Sequence, residues 1–204
     1  MTYTPYNTNA QQYFAQYQSL TFEQVHSPWL PLLDTRAGLA LDVGAGSGRD
    51  ALALAERGWD VVAVEPACEL RRLGEAATAH QTIQWLDDSL PDLNEIRKLS
   101  YRFDLILVSA VWMHVPPTSR MRAFRILTEL LGPSGVLVIT LRHGPGDGER
   151  QFYEVSKAEL DGLARHRAVM PVPLPDTPRA DELNRPDVWW ETAVYRLGEI
   201  SLHG

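Results

Sequence analysis

Five apolar runs of strand length, at residues 39–43, 61–65, 82–86, 103–109 and 135–141, alternate with stretches whose apolar side chains recur at helical spacing. Consecutive elements are joined by a few residues only, which favours parallel strands with right-handed crossovers and helices on both faces of one open sheet. Ala51, Leu52, Leu54 and Ala55 give the first helix its apolar stripe, and Gly58 ends it. Further helices are expected over 67–79, 93–99, 118–131 and 156–166, the third of these clearly amphipathic through Ala123, Ile126, Leu127, Leu130 and Leu131. Beyond Arg167 the alternation changes: residues 169–172 and 188–197 read as two strands with no helix between them, an antiparallel pair at one sheet edge. The intervening stretch 171–186 carries prolines at 171, 173, 175, 178 and 186 and reads as an irregular loop.

At 204 residues the chain suits one such domain with a small appendage. Tyr13, Phe14, Tyr17 and Leu20 recur at roughly helical spacing, so residues 1–37 are expected to form a helical segment over the sheet's end, and 38–204 the domain itself. A single cysteine, Cys68, excludes an intramolecular disulfide and a cysteine-based zinc cluster, and suits a reducing, cytoplasmic setting. The first residues lack the basic and apolar parts of a signal peptide, and no run approaches membrane-spanning length. With 26 acidic against 19 basic residues, the net charge of −7 opposes a broad grip on polyphosphate, so nucleic acid is disfavoured as a partner.

Glycines 44, 46 and 48 sit where the first strand meets the first helix, at the carboxyl edge where open α/β sheets bind small molecules. Asp42 lies two residues before the first glycine, where a buried or half-buried carboxylate would be costly without a cationic or donor-rich partner, a placement that suits a ligand carrying positive charge. Glu65 ends the second strand, where a carboxylate can accept both hydrogen bonds of a ribose diol. Asp87 and Asp88 close the third strand, where an acceptor and nearby backbone could read an adenine edge. A nicotinamide dinucleotide fits less well. The G-x-G-x-x-G spacing is absent, and an acid at Asp42 would repel a pyrophosphate.

On the segments 41–50, 62–65, 86–91 and 103–116, in that order, the chain resembles the class I S-adenosylmethionine-dependent methyltransferases, over roughly residues 38–142. It is most similar to the small-molecule branch, whose fourth strand reads Phe-Asp-Leu-Ile before a turn containing histidine. The resemblance implies a single Rossmann-like, doubly wound sheet of seven strands, mostly parallel, with one antiparallel strand near the C-terminal edge. It implies S-adenosylmethionine as methyl donor and S-adenosylhomocysteine as product. It also implies that Asp42, Gly44, Ala45, Gly46 and Gly48 surround the methionine part and that Glu65 and Pro66 hold the ribose. Asp87 or Asp88, with Ser89, would contact the adenine, while Ser109 and Ala110 flank the donor and Tyr13 and Tyr17 cap it from an N-terminal lid.

Methyl transfer from a sulfonium is an in-line displacement, so an acceptor site belongs at the carboxyl ends of strands four and five. His114 could serve as general base, Arg142 could pair with an acceptor carboxylate or with Asp147 or Glu149, and His143 would stand at the pocket rim. Ser109-Ala110-Val111-Trp112 is not the acidic-Pro-Pro-aromatic signature of amino-directed DNA methyltransferases, and Cys68 is misplaced for a cytosine-carbon nucleophile. A small-molecule acceptor is therefore expected, with an RNA or nucleotide acceptor as the less favoured alternative. The rival from another class is a non-catalytic donor-binding or partner subunit with the same fold, whose sign would be a damaged glycine turn.

Overall fold

The computed structural model describes residues 3–33, 37–175 and 178–198. In chain order the elements are α1 (Thr4–Thr8), α2 (Ala10–Gln18), α3 (Phe22–His26), β1 (Leu39–Val43), α4 (Arg49–Glu56), β2 (Asp60–Val64), α5 (Cys68–Ala77) and β3 (Ile83–Leu86). They continue as α6 (Asn94–Lys98), β4 (Phe103–Val108), α7 (Pro117–Leu130), β5 (Leu131–His143), α8 (Lys157–Ala164), β6 (Val169–Pro171), β7 (Arg179–Ala180) and β8 (Trp189–Leu197). The main path of the sheet runs β3-β2-β1-β4-β5-β8-β6. The first five strands are mutually parallel, and β8 runs antiparallel to both β5 and β6. This is the doubly wound, mostly parallel sheet expected, with its antiparallel strand near the C-terminal edge.

Two departures have physical reasons. The proline-rich stretch contains β7, whose Arg179 and Ala180 pair with Trp190 and Trp189. Neither residue is a proline, so both keep the N–H that a ladder needs. β5 also starts earlier than residue 135, directly at the end of α7, with a register irregularity opposite the interval between Phe103 and Leu105. Of the N-terminal segment, residues 1–2 and 34–36 lie outside the described residues.

Strand alternation sends successive side chains to opposite faces. Leu41, Val43, Ile106 and Val108 pack with Ile96, Phe124, Leu127 and Leu160 from α6, α7 and α8. Ala40, Ala63, Leu105 and Leu107 pack on the other face with Phe22, Trp29, Leu54 and Trp59. Trp112, fully buried, meets Phe124 edge-on. Among the described residues no helix is long and apolar enough to cross a membrane.

The N-terminal helices are fastened to the βαβ frame at two places. Ala10 and Tyr13 of α2 pack on Ala67 and Leu70 around α5. His26, fully buried at the end of α3, accepts at Nδ1 from the Trp29 indole N–H at 3.0 Å, so its proton sits on Nε2 and is donated to Asp50 at 2.9 Å. Asp50 also takes two hydrogen bonds from Arg49. Burial pushes the Asp50 carboxyl up, but His26 and Arg49 overcome it and hold it below the usual range. Its place in the first turn of α4 adds the favourable end of the helix dipole.

Gly74 lets α5 approach the sheet. A Cβ there would stand 2.6 Å from the Trp85 ring and 2.9 Å from the Gly46 carbonyl oxygen. Alanine for glycine inside a helix ordinarily gains roughly 0.5–1 kcal/mol. Here we expect Gly74→Ala to destabilise by about 1–3 kcal/mol through overpacking, lowering Tm by roughly 2–10 °C in thermal unfolding. A higher Tm would show that α5 does not need this approach.

Candidate functional site

Where β1 ends, Gly44, Gly46 and Gly48 adopt φ values of +71°, +54° and +79°. Only glycine takes these without strain. Two of the three also sit too close to neighbours for a side chain: a Cβ on Gly44 would meet Val111 at 2.4 Å, and one on Gly48 would meet Thr78 at 2.9 Å. A Cβ on Gly46 would crowd the Tyr17 ring at 3.3 Å, so the N-terminal segment closes over this point of the turn. The N–H groups of Gly44 and Ala45 both donate to the Val64 carbonyl, which binds the turn to β2.

Glu65 follows β2 at once and joins the same turn. Its carboxylate accepts from the Gly46 N–H at 3.0 Å and the Ala67 N–H at 2.8 Å. Burial pushes its pKa up to about 7, against the pull of those two bonds and of Arg71. A carboxylate with spare lone pairs and costly desolvation is well suited to a ligand that brings hydroxyl donors.

Gly44, Ala45, Gly46, Glu65, Pro66, Asp88, Ser89, Ser109 and Ala110 all line one cavity of about 380 Å³. That volume lies in the range usual for small-molecule sites. Four expected donor contacts are not on its wall. Asp42 shares a strand face with Ala40, so alternation turns it under the glycine turn toward α4, where it is 1% exposed. There burial, and then the charge of Asp50, raise its pKa well above the carboxylate range, and its Oδ2 has no partner. Gly48 faces Thr78 and Trp85 instead of the cavity. Asp87 is exposed and takes a hydrogen bond from Arg71 at 3.3 Å. Tyr13 stands behind the wall, its ring 5.0 Å from that of Tyr6 and 6.0 Å from that of Tyr17, and these two reach the cavity in its place.

Asp88 does line the cavity, but its two oxygens are committed to the backbone. Oδ1 accepts from Ser89, and Oδ2 accepts from Glu95 and Ile96 at the start of α6. It is a cap that holds the loop after β3.

Beyond the end formed by the glycine turn and Glu65, His114 and Arg142 stand on the same cavity wall. His114 lies in a short 3-10 turn, Trp112–His114. Its Nδ1 is 2.8 Å from the Gln151 carbonyl, which can only accept, so Nδ1 carries the proton and Nε2 accepts from the Tyr6 hydroxyl at 2.9 Å. Burial lowers its pKa below the ordinary histidine value, which keeps it neutral near pH 7. Arg142 points in from β5, with its guanidinium 4.7 Å above the Phe152 ring. His143, its neighbour, is sent to the opposite face by strand alternation. It stacks flat on Trp189 at 3.6 Å and lies 3.3 Å from Glu191, off the cavity wall.

A family model described as a methyltransferase domain matches residues 15–172 of the chain. The chain belongs to this methyltransferase family. An uncharacterised methyltransferase from Mycobacterium bovis is 37% identical over 106 residues, covering 52% of this chain and 40% of that protein. One from Alkaliphilus oremlandii is 27% identical over 106 residues, covering 52% of this chain and 46% of that protein. The methyltransferase-family chain thus spans about half or less of the curated relatives it matches. Among solved structures, a Burkholderia thailandensis 1,6-didemethyltoxoflavin N1-methyltransferase, with its acceptor and S-adenosylhomocysteine bound, superposes with a TM-score of 0.66 at 22% identity. The match covers 93% of this chain and 85% of that one. The magnesium protoporphyrin IX methyltransferase of Synechocystis, bound to S-adenosylmethionine, superposes with a TM-score of 0.65 at 12% identity, covering 94% and 81%. The fold is that of the class I S-adenosylmethionine-dependent methyltransferases, as the sequence resemblance implied.

The structure adds wall residues to this methyltransferase-family site that no sequence motif marks. Thr140 stands two residues before Arg142 on β5, and their β8 partners Thr192 and Trp190 line the cavity with them. That pairing follows from strand periodicity once β5 and β8 are placed side by side. Arg150 and Phe152, by contrast, belong to the irregular stretch after β5 and carry no periodic signal.

Glu65 sets a pH dependence. A bound diol favours its ionised form, and in the free protein that form is lost as pH falls through about 7. Affinity for S-adenosylhomocysteine should therefore rise with pH through that region, by up to about tenfold per unit below it. Glu65→Gln should flatten the profile in titration calorimetry, and Glu65→Ala should weaken binding by about 1.5–3 kcal/mol for each charged hydrogen bond lost. A wild-type profile flat from pH 5.5 to 8, in terms of roughly this range, would remove Glu65 from the donor site.

Proposed function

We propose that this chain transfers a methyl group from S-adenosylmethionine to a small-molecule acceptor by in-line displacement. The observation that carries the reading is one continuous cavity that joins the Gly44–Gly46 turn and Glu65 at one end to His114 and Arg142 at the other. The residues present fit the donor. Gly44 and Gly46 put bare backbone on the cavity wall beside Glu65, a buried carboxylate whose charged form burial disfavours. Bound donor has been seen on the same fold in the Synechocystis enzyme, and its product in the Burkholderia one. When bound, S-adenosylmethionine supplies an electrophilic methyl on a sulfonium.

In this reading Glu65 accepts from the ribose hydroxyls, and Gly44, Ala45, Gly46, Pro66, Ser89, Ser109 and Ala110 surround the donor. Asp42, Gly48, Asp87 and Tyr13 support that wall from behind. Residues 1–37 act as a lid whose Tyr6 and Tyr17 exclude water. His114 receives the acceptor's proton at Nε2 through the Tyr6 oxygen that already hydrogen-bonds it. Arg142 orients the acceptor, and His143 steadies the end of β5 through Trp189. Cys68, a free exposed thiol, suits a reducing cytoplasm.

Calorimetry is expected to show binding of S-adenosylmethionine and S-adenosylhomocysteine but not of NAD or NADP. Tight NADP binding with no response to the sulfonium compound would overturn the reading. A metabolite panel set against RNA and DNA, scored by release of S-adenosylhomocysteine, tests the acceptor class, and turnover of nucleic acid alone would refute the small-molecule half. On any acceptor found, His114→Ala should slow transfer by about 10²–10⁴-fold and leave donor affinity nearly unchanged.

A further inference from the structure

Five arginines line the cavity: Arg49, Arg142, Arg150, Arg179 and Arg185. Four are neutralised by a carboxylate of this chain. Arg49 pairs with Asp50, Arg150 with Asp147, Arg179 with Glu182 and Arg185 with Asp181, each with a contact at 2.6 Å. Arg142 has no ion pair among the described residues. Its residue is only 8% exposed, its Nε is buried with no partner, and its one hydrogen bond is a long contact from the guanidinium to the Gly144 carbonyl at 3.5 Å. Arginine cannot relieve this by losing its proton, because it stays charged at any working pH. The nearby acids are already spent. Asp181, for example, takes two hydrogen bonds from the Arg185 side chain and one from the Trp190 indole.

A desolvated guanidinium held without a counter-ion is destabilising by itself and becomes favourable only when an anion arrives. We propose that Arg142 is the seat for a carboxylate on the methyl acceptor, and that the acceptor is an aromatic carboxylate. The inference rests on the methyl-transfer reading above. The fork of a guanidinium matches the two oxygens of a carboxylate. The surroundings suit an aromatic body: the rings of Phe152, Trp190 and Tyr6, with the apolar side chain of Met113, share the wall with Arg142. Arg142 and His114 both lie within 5 Å of the Phe152 ring, at 4.7 Å and 4.9 Å, so an acceptor anchored on one has its body beside the other.

The donor's own carboxylate is the competing occupant. Arg142 is the penultimate residue of β5, which is two strands from β1 and its glycine turn in the order β1-β4-β5. That separation is about 10 Å across the sheet. Across from Arg142 stands Trp190 of β8, on the side away from the donor. A polyphosphate is a poor match, since among the described residues only one cavity arginine lacks an ion-pair partner.

The test uses the full chain saturated with S-adenosylhomocysteine and titrated with benzoate and phenylacetate, each compared with its uncharged primary amide. We expect each carboxylate to bind wild type at least about tenfold more tightly than its amide, with the gap closing in Arg142→Met and partly kept in Arg142→Lys. Affinity for S-adenosylhomocysteine should be the same in all three proteins. Without any probe, Arg142→Met should melt above wild type, because an unpaired buried charge has been removed. Equal binding of acid and amide, including no binding of either, overturns the proposal. So does a fall in S-adenosylhomocysteine affinity in Arg142→Met, which would assign the arginine to the donor. An Arg142→Met protein that melts lower and keeps the acid preference would make Arg142 a structural cation. Acid preference in a wild-type protein that binds no S-adenosylhomocysteine would keep the anion seat and sink the methyl-transfer reading.

Discussion

The geometry of the whole site depends on the backbone of one turn. With φ positive at residues 44, 46 and 48, the chain after β1 folds back so that its N–H groups reach the end of β2 and the Glu65 carboxylate. The absence of side chains then lets four other parts approach it. Val111 comes from the loop after β4, Tyr17 from the N-terminal segment, Thr78 from the end of α5 and Trp85 from β3. A methyl group at these positions would push apart elements that are otherwise unconnected in sequence. The turn therefore organises both the binding edge of the sheet and the docking of the N-terminal helices.

Charge is the second organising factor, and nearly all of it is balanced locally. Asp50 is balanced by His26 and Arg49, Asp88 by backbone donors of α6, and Asp181 by Arg185 and Trp190. Two groups on the cavity wall are left short of partners. Glu65 is raised to about 7 at the end beside the glycine turn, and Arg142 stands without a counter-ion among the described residues at the other. Burying a charge without a full set of partners costs folding energy. Where that cost is concentrated on two opposite charges at two ends of one cavity, a ligand can recover it by supplying donors to one and an anion to the other.

How legible these features were in the sequence depended on whether a local pattern carried them. The five parallel strands and Glu65 at the end of β2 followed from apolar runs and their edges. The burial of Asp42 toward α4, off the cavity wall, did not, because a carboxylate before a glycine turn reads the same whether it faces ligand or core. Arg142 and His143 are adjacent and chemically similar, yet one lines the cavity and the other stacks on Trp189. Their separation follows from a period of two, but its sign needs the placement of β8. Tyr13 and Tyr17 posed the same problem at a helical period, and the docking of α2 on α5 put Tyr17 over Gly46 and Tyr13 behind it.

The sequence by itself determined the order and kind of the elements, the glycine turn and the acid beside it, because these rest on short-range periodicity and on residues whose backbone or charge allows few alternatives. Only the tertiary structure decided which polar groups meet. The Tyr6–His114 hydrogen bond joins residues 108 positions apart, and the loop carrying Arg150 and Phe152 is placed by contacts with Tyr6 of α1 and with His114, not by any pattern of its own. The physical reason is that a local pattern fixes which face a side chain takes relative to its own strand or helix. What stands opposite that face, and whether a charge there finds a partner, is set by long-range packing.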